Sequence, residues 1–177
     1  MDTNAQVDGA LEACRKVFAA KLGDYGASWR IMRPQSVTDQ IFIKAKRIRS
    51  LQIKGHSEVG EGILPEFMAI VNYAIIGVIQ LRHGFVDTKD VEPAKALEWY
   101  DAVADEAREL LRKKNHDYDE AWRGMRVASY VDFILTKIER IKEIEDHDGT
   151  TEVSEGIESN YLDVLNYSVF GIIKLTE

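Results

Sequence analysis

Apolar positions recur along most of this chain at the three-and-four spacing of helices, and nowhere with the strict alternation of a strand. Six stretches carry that period. They predict helices over about 4–22, 37–53, 63–82, 94–115, 130–146 and 157–176. Gly23 and Gly84 stand where the first and third should end, and Pro93 where the fourth should begin. Ser36 or Thr38 can cap the second. The expected fold class is all-α.

The six helices form two sets of three. Shifted by 93, residues 21–48 fall on 114–141 with 13 of 28 positions identical. Shifted by 94, residues 58–81 fall on 152–175 with 10 of 24 identical. The cassette "KLGDYGASWRIMR" at 21–33 thus returns as "KNHDYDEAWRGMR" at 114–126. Two copies at so long a period make an internal duplication rather than a solenoid. The predicted architecture is a tandem duplication of a three-helix unit, packed as one helical bundle with pseudo-two-fold symmetry. The first repeat covers 1–82, a linker 83–93, and the second repeat 94–177.

Polar residues interrupt the apolar faces at matching places. On the second helix Val37, Ile41, Ile48 and Leu51 form a stripe, with Lys44 inside it and Arg47 at its edge. On the fifth, Tyr130, Ile134, Ile141 and Ile144 form the stripe, with Lys137 inside and Arg140 beside it. Such a lysine either snorkels or pairs with an anion, and the anion is an internal carboxylate or a phosphate. The third and sixth helices each keep one carboxylate of what would be an E-x-x-D pair. The first repeat has Glu66 and Ala69, the second Asn160 and Asp163. Carboxylates at i and i+3 can hold Mg²⁺ together. Here the halves either complement one another across the pseudo-dyad or retain a decayed site. Glu58, Glu61, Glu152, Glu155 and Glu158 either assist such a metal or solvate a loop.

Charge and composition narrow the function. A net charge of −7 disfavours direct binding of duplex nucleic acid, yet permits a small anion in a local basic pocket. Cys14 is the single cysteine, so no internal disulfide forms and a reducing cytoplasm is expected. The opening "MDTNAQVDGA" is too polar for a signal peptide. The run "FMAIVNYAIIGVIQL" at 67–81 falls short of the ~20 residues of a membrane span and reads as a buried helix. No membrane partner is expected. A homodimer is compatible with the arrangement.

The cassette offers Asp24, Tyr25, Trp29, Arg30 and Arg33, repeated as Asp117, Tyr118, Trp122, Arg123 and Arg126. Such rings can stack on a base, Asp can accept from a ring amine, and Arg can reach phosphate. Equally, they can plug the gap between helices, with Asp and Arg paired. The order K-x-x-D-Y…W-R, then K-x-x-R-I, then a late helix with N-Y-x-x-x-G, resembles the nucleotide-modification-associated domain, first type. The resemblance covers roughly 10–82 and 100–176. It implies a place near nucleotide metabolism or DNA-base modification.

A more distant similarity is to MazG-type all-α nucleoside triphosphate pyrophosphatases, which use Mg²⁺ and water to cleave between the α and β phosphates. "NYLDVLNYSVFGIIKL" at 160–175 is similar to their second motif helix, with Asp163 at the final acid. Lys44/Arg47 and Lys137/Arg140 stand where first-motif acids would lie. The expected function is a nucleotide-binding protein. It is either a Mg²⁺-dependent (deoxy)nucleoside triphosphate pyrophosphohydrolase or a non-catalytic binding or regulatory module; a structural helical interaction protein is the remaining reading. In the enzymatic reading Glu66 and Asp163 ligate Mg²⁺ or orient water. Lys44, Arg47, Lys137, Arg140, Arg33 and Arg126 hold phosphates. Asp24, Tyr25, Trp29 and Asn72, with Asp117, Tyr118, Trp122 and Asn166, surround the base.

Overall fold

The computed structural model describes residues 2–55, 62–151 and 155–177. Its helices are α1 (Thr3–Tyr25), α2 (Pro34–Lys54), α3 (Leu64–His83), α4 (Pro93–Tyr118), α5 (Val127–Asp146) and α6 (Ile157–Thr176). A turn of 3-10 helix precedes α2 at Ser28–Ile31, and another precedes α5 at Ala121–Gly124. Among the described residues there is no strand.

The ends depart from the periodicity in instructive ways. α1 runs through Gly23 and stops at Gly26, whose φ of 68° only glycine adopts freely. α4 likewise runs on to Tyr118. Each cassette therefore starts on a last helical turn, which carries Asp24 and Tyr25 or Asp117 and Tyr118. α2 starts at Pro34, earlier than expected, because the ring presets a helical φ and lacks the N–H that a first turn would leave unpaired. Ser36 and Thr38 are consequently not caps. Arg33 holds the cap position without a side-chain bond, and Thr38 is buried inside the helix. At the joint, Gly84 follows α3 and Pro93 opens α4.

α3 and α6 form the centre and pack on each other more than any other pair. α2 lies on α3 as α5 lies on α6, and α2 meets α5. α1 and α4 touch each other and cross over, α1 to α6 and α4 to α3. This reciprocal pattern is that of a two-fold. It is sharpest where Gly77 of α3 lies against the Tyr161 ring and Gly171 of α6 against the Phe67 ring. A Cβ at either glycine would sit 2.8 Å from a ring carbon. Gly77 and Gly171 are equivalent positions, as are Phe67 and Tyr161. Each contact is thus matched by its own reverse, as in an isologous interface. Both central helices keep a mid-helix glycine, at about 1 kcal/mol of helix propensity each, because the ring occupies the space of a side chain.

The apolar run at 67–81 belongs to a helix of 20 residues, long and apolar enough by composition to cross a bilayer. Its window is 67% buried inside the bundle, as a core helix is.

Candidate functional site

Each repeat builds a cleft from its own cassette, its own stripe lysine and its own central helix. The first, of about 550 Å³, is lined by Lys21, Tyr25, Trp29, Lys44, Glu66, Asn72 and Tyr73 among others. The second, of about 460 Å³, is lined by Lys114, Tyr118, Trp122, Lys137, Asp163, Asn166 and Tyr167 among others. Apart from the two carboxylates, these residues are repeat equivalents.

The stripe lysines are half-buried and point at carboxylates. Lys44 Nζ lies 3.6 Å from Glu66, and Arg47 lies 3.4 Å from it. Asp163 accepts from Lys137 at 2.9 Å and from Lys114 at 2.7 Å. The anion that each buried-face cation needs is therefore internal in both repeats. Glu66 supplies it from the first turn of α3. Asp163 does so from one turn further along α6, where a second lysine reaches in from α4. The charge pairing is kept while the acid has moved. Burial alone would raise the Asp163 pKa, but hydrogen bonds and charge from Lys114 and Lys137 outweigh it and hold the carboxyl below its ordinary value.

That lowered pKa has a sign for stability. The folded state holds the carboxylate ionised to lower pH than the unfolded chain does. The contribution is complete above the ordinary value of 3.8 and fades as pH falls through the lowered one. The stability gap between wild type and Asp163→Asn, measured by urea unfolding, is expected to be constant above about pH 5 and to shrink as pH falls below 3.8. A gap that persists undiminished at pH 2 would assign the effect to packing instead.

The cassette arginines are clamps. Arg30 is 2% exposed and bonds Asp90 at 3.0 Å, the Gly84 carbonyl at 2.5 Å and the Gln80 side chain. Gln80 answers by donating to the backbone carbonyls of Arg30 at 2.9 Å and Met32 at 2.6 Å. This ties the 3-10 turn to the end of α3. In the second repeat Lys174 takes the place of Gln80 and donates to the Arg123 carbonyl at 2.7 Å, while Arg123 pairs with Glu120 and Glu177. Of the two readings open for the cassette arginines, phosphate contact or internal pairing, Arg30 and Arg123 show internal pairing: their guanidiniums hold the turn.

The tryptophans form cleft wall. Trp122 is 6% exposed and stacks on Phe170 at 4.3 Å with near-parallel rings, and Trp29 packs at 5.9 Å from Phe18. Tyr25 and Tyr118 line the clefts and are 53% and 72% exposed. Asp24, Asp117, Arg33 and Arg126 are exposed and line neither cleft. Arg140 is exposed along α5 and lines a neighbouring open groove with Glu139 and Glu143. Arg47 pairs with Glu66 without lining the cleft, and its guanidinium also donates to the Gly62 carbonyl at 3.4 Å.

Glu66 and Asp163 line different clefts, so they do not complete one another across the pseudo-dyad. The reason is packing: α3 and α6 meet through their apolar faces, and each turns its acid toward the α2 or α5 of its own repeat. Among the described residues no group of three or more His, Cys, Asp or Glu side chains is placed to hold a metal. Glu58, Glu61 and Glu152 lie outside the described residues. Glu158 pairs with Arg82, and Glu155 is exposed.

Lys21, Lys114, Tyr73, Tyr167 and Asn115 also line the clefts, and none of them is among the expected site residues. For the first four the repeat itself carried the signal, since each is identical in both copies. Asn115 faces Leu22 in the alignment and carries none.

The family model for nucleotide modification associated domain 1 matches residues 21–81 and again residues 114–175. Each match runs from the first lysine of a cassette to the end of a central helix. No curated protein and no solved structure matches the chain.

Proposed function

Since the chain belongs to the nucleotide modification associated domain 1 family and carries that domain twice, we propose that it is a nucleotide-binding protein of nucleotide metabolism or base modification. The observation that supports this best is the composition of the clefts. Each sets two lysines beside one carboxylate, Lys21 and Lys44 with Glu66 or Lys114 and Lys137 with Asp163, near an exposed Tyr and a buried Asn. A chain of net charge −7 thereby has locally positive clefts. Their volumes fall within the ~300–1,000 Å³ of small-molecule sites. A phosphate would draw on the lysines that the carboxylates hold in place. The Tyr ring offers a face to a base, and an Asn amide can read a base edge.

Binding is favoured over hydrolysis. Glu66 and Asp163 are the carboxylates that a Mg²⁺-dependent pyrophosphohydrolase would use, and lysines already engage both. The experiment is thermal unfolding with deoxynucleoside mono- and triphosphates, with and without Mg²⁺, beside an assay for pyrophosphate and phosphate release. A raised melting temperature without release is the expected result. Release that requires Mg²⁺ would make the protein an enzyme with Glu66 or Asp163 on the metal. No shift with any nucleotide would leave the lysine–carboxylate pairs as structural links alone.

Lys137→Ala separates these roles further. Asp163 keeps Lys114, so the loss of stability is expected to be about 1 kcal/mol. Loss of a charge-assisted contact of about 1.5–3 kcal/mol should weaken nucleotide binding by at least tenfold, measured by titration calorimetry. Unchanged affinity would refute the phosphate role of that lysine.

A further inference from the structure

The two clefts share a plan but not their wiring. In the first, both ends of the Asn72 amide are taken. Its carbonyl accepts from the Tyr100 hydroxyl at 2.7 Å, and its NH₂ donates to the Cys14 carbonyl at 3.1 Å. Tyr100 is 1% exposed, so this link is deep in the core. In the second cleft, Asn166 is the equivalent residue. It is 4% exposed, lines the cleft, and neither end of its amide has a partner. The difference traces to α1 and α4. Carried along these helices, the offset of 93 puts Val7 opposite Tyr100 and Ala107 opposite Cys14. No hydroxyl from α1 therefore reaches Asn166. Beside it, Asn115 has an unpartnered buried NH₂ where the first cleft has Leu22. The indole N–H groups of Trp29 and Trp122 are unpartnered in both clefts and do not distinguish them.

A buried amide with neither end bonded is unfavourable, and native proteins rarely retain one without a use. The partner that would satisfy it must present a donor and an acceptor side by side. The hydrogen-bonding edge of a nucleobase does so, and Asn is well suited to bond such an edge at two points. We propose that the second cleft alone reads the base, with Asn166 as the residue that selects it. The first cleft is then a structural copy whose Asn72 is committed to Tyr100. This rests on the nucleotide reading given above. Lys114 and Lys137 lie in the same cleft to take the phosphates.

The test uses the whole chain and two variants, Asn166→Leu and Tyr100→Phe. Titration calorimetry is run with dAMP, dCMP, dGMP, dTMP and their triphosphates, and melting temperatures are taken without nucleotide. The wild type should bind one nucleotide per chain. Asn166→Leu should melt at or above the wild type and lose about tenfold or more in affinity for the best nucleotide. Tyr100→Phe should melt lower, because it strands the Asn72 carbonyl, and should bind as the wild type does. Two nucleotides bound per chain with equal affinity would overturn the proposal. So would wild-type affinity in Asn166→Leu, a fall in its melting temperature as large as that of Tyr100→Phe, or impaired binding in a folded Tyr100→Phe. In each of those cases the nucleotide reading itself survives. Failure of the wild type to bind any of the eight overturns both.

Discussion

Gly77→Val is expected to destabilise the protein by about 3 kcal/mol or more, the upper range for overpacking a closed core. A Cβ there would lie 2.8 Å from Cε2 and 2.9 Å from Cζ of Tyr161, which is fully buried. The ring cannot swing aside cheaply. Its hydroxyl lies 2.6 Å from Thr38 Oγ1 and donates to the Pro34 carbonyl at 3.2 Å, so rotation breaks bonds at the far end. The equivalent site answers differently. Gly171 faces Phe67, which is equally buried but has no polar anchor at its far end, so the ring can shift without breaking a hydrogen bond. In Gly171→Ala, ~1 kcal/mol of gained helix propensity should offset most of the strain, whereas Gly77→Ala should still lose about 1–2 kcal/mol. Urea unfolding of the three variants tests the order. Equal losses at the two glycines would show that the Tyr161 hydroxyl contributes nothing to holding the ring.

Arg30→Met should cost about 2–3 kcal/mol. The largest part comes from the Gln80 side chain, 1% exposed, whose carbonyl loses the Arg30 donor inside the core. Asp90 adds little, because its carboxylate is at the surface and rehydrates. The variant should also loosen the turn that carries Trp29, so tryptophan fluorescence should report a change before global unfolding. Arg123→Met is the control. Its side chain is 34% exposed, and its partners Glu120, Glu177, Thr3 and Gln6 all keep access to water, so a loss of about 1 kcal/mol, smaller than that of Arg30→Met, is expected. Comparable losses in the two variants would contradict the clamp described for the first repeat.

The helices and the duplication were legible because both are encoded locally, in the period of Ile, Val and Leu and in a constant offset between copies. The helix ends were less so. Gly23 looks like a stop, but nothing near it requires one, and α1 continues to Tyr25. Pro34 looks like a boundary and is one, though it begins the helix instead of preceding it. The stripe lysines announced that an anion must be near, and the sequence could not say whether a carboxylate or a ligand supplied it. Both acids of the split pair were visible. Their assignment to separate clefts depends on which faces of α3 and α6 meet. Arg30 and Arg33 are alike as residues, and only the position of Gln80 and Asp90 makes one a buried clamp and leaves the other in solvent. The contrast between Tyr100 and Val7 lies upstream of the segments where the repeats align by identity, so nothing in the alignment drew attention to it.

The interlock of Gly77 with Tyr161 and of Gly171 with Phe67 would hold together two separate chains as well as two halves of one. What the connection at 83–93 adds is independence of the two copies under mutation. In a pair of identical chains every substitution enters both clefts, so a change that locks one asparagine locks the other. Joined in tandem, one half can be given over to supporting the scaffold while its twin stays free to contact a ligand, and a loss in one copy is sheltered by the other. Val7 standing where its twin has Tyr100, and the acid displaced by one turn between Glu66 and Asp163, are the marks that such divergence leaves.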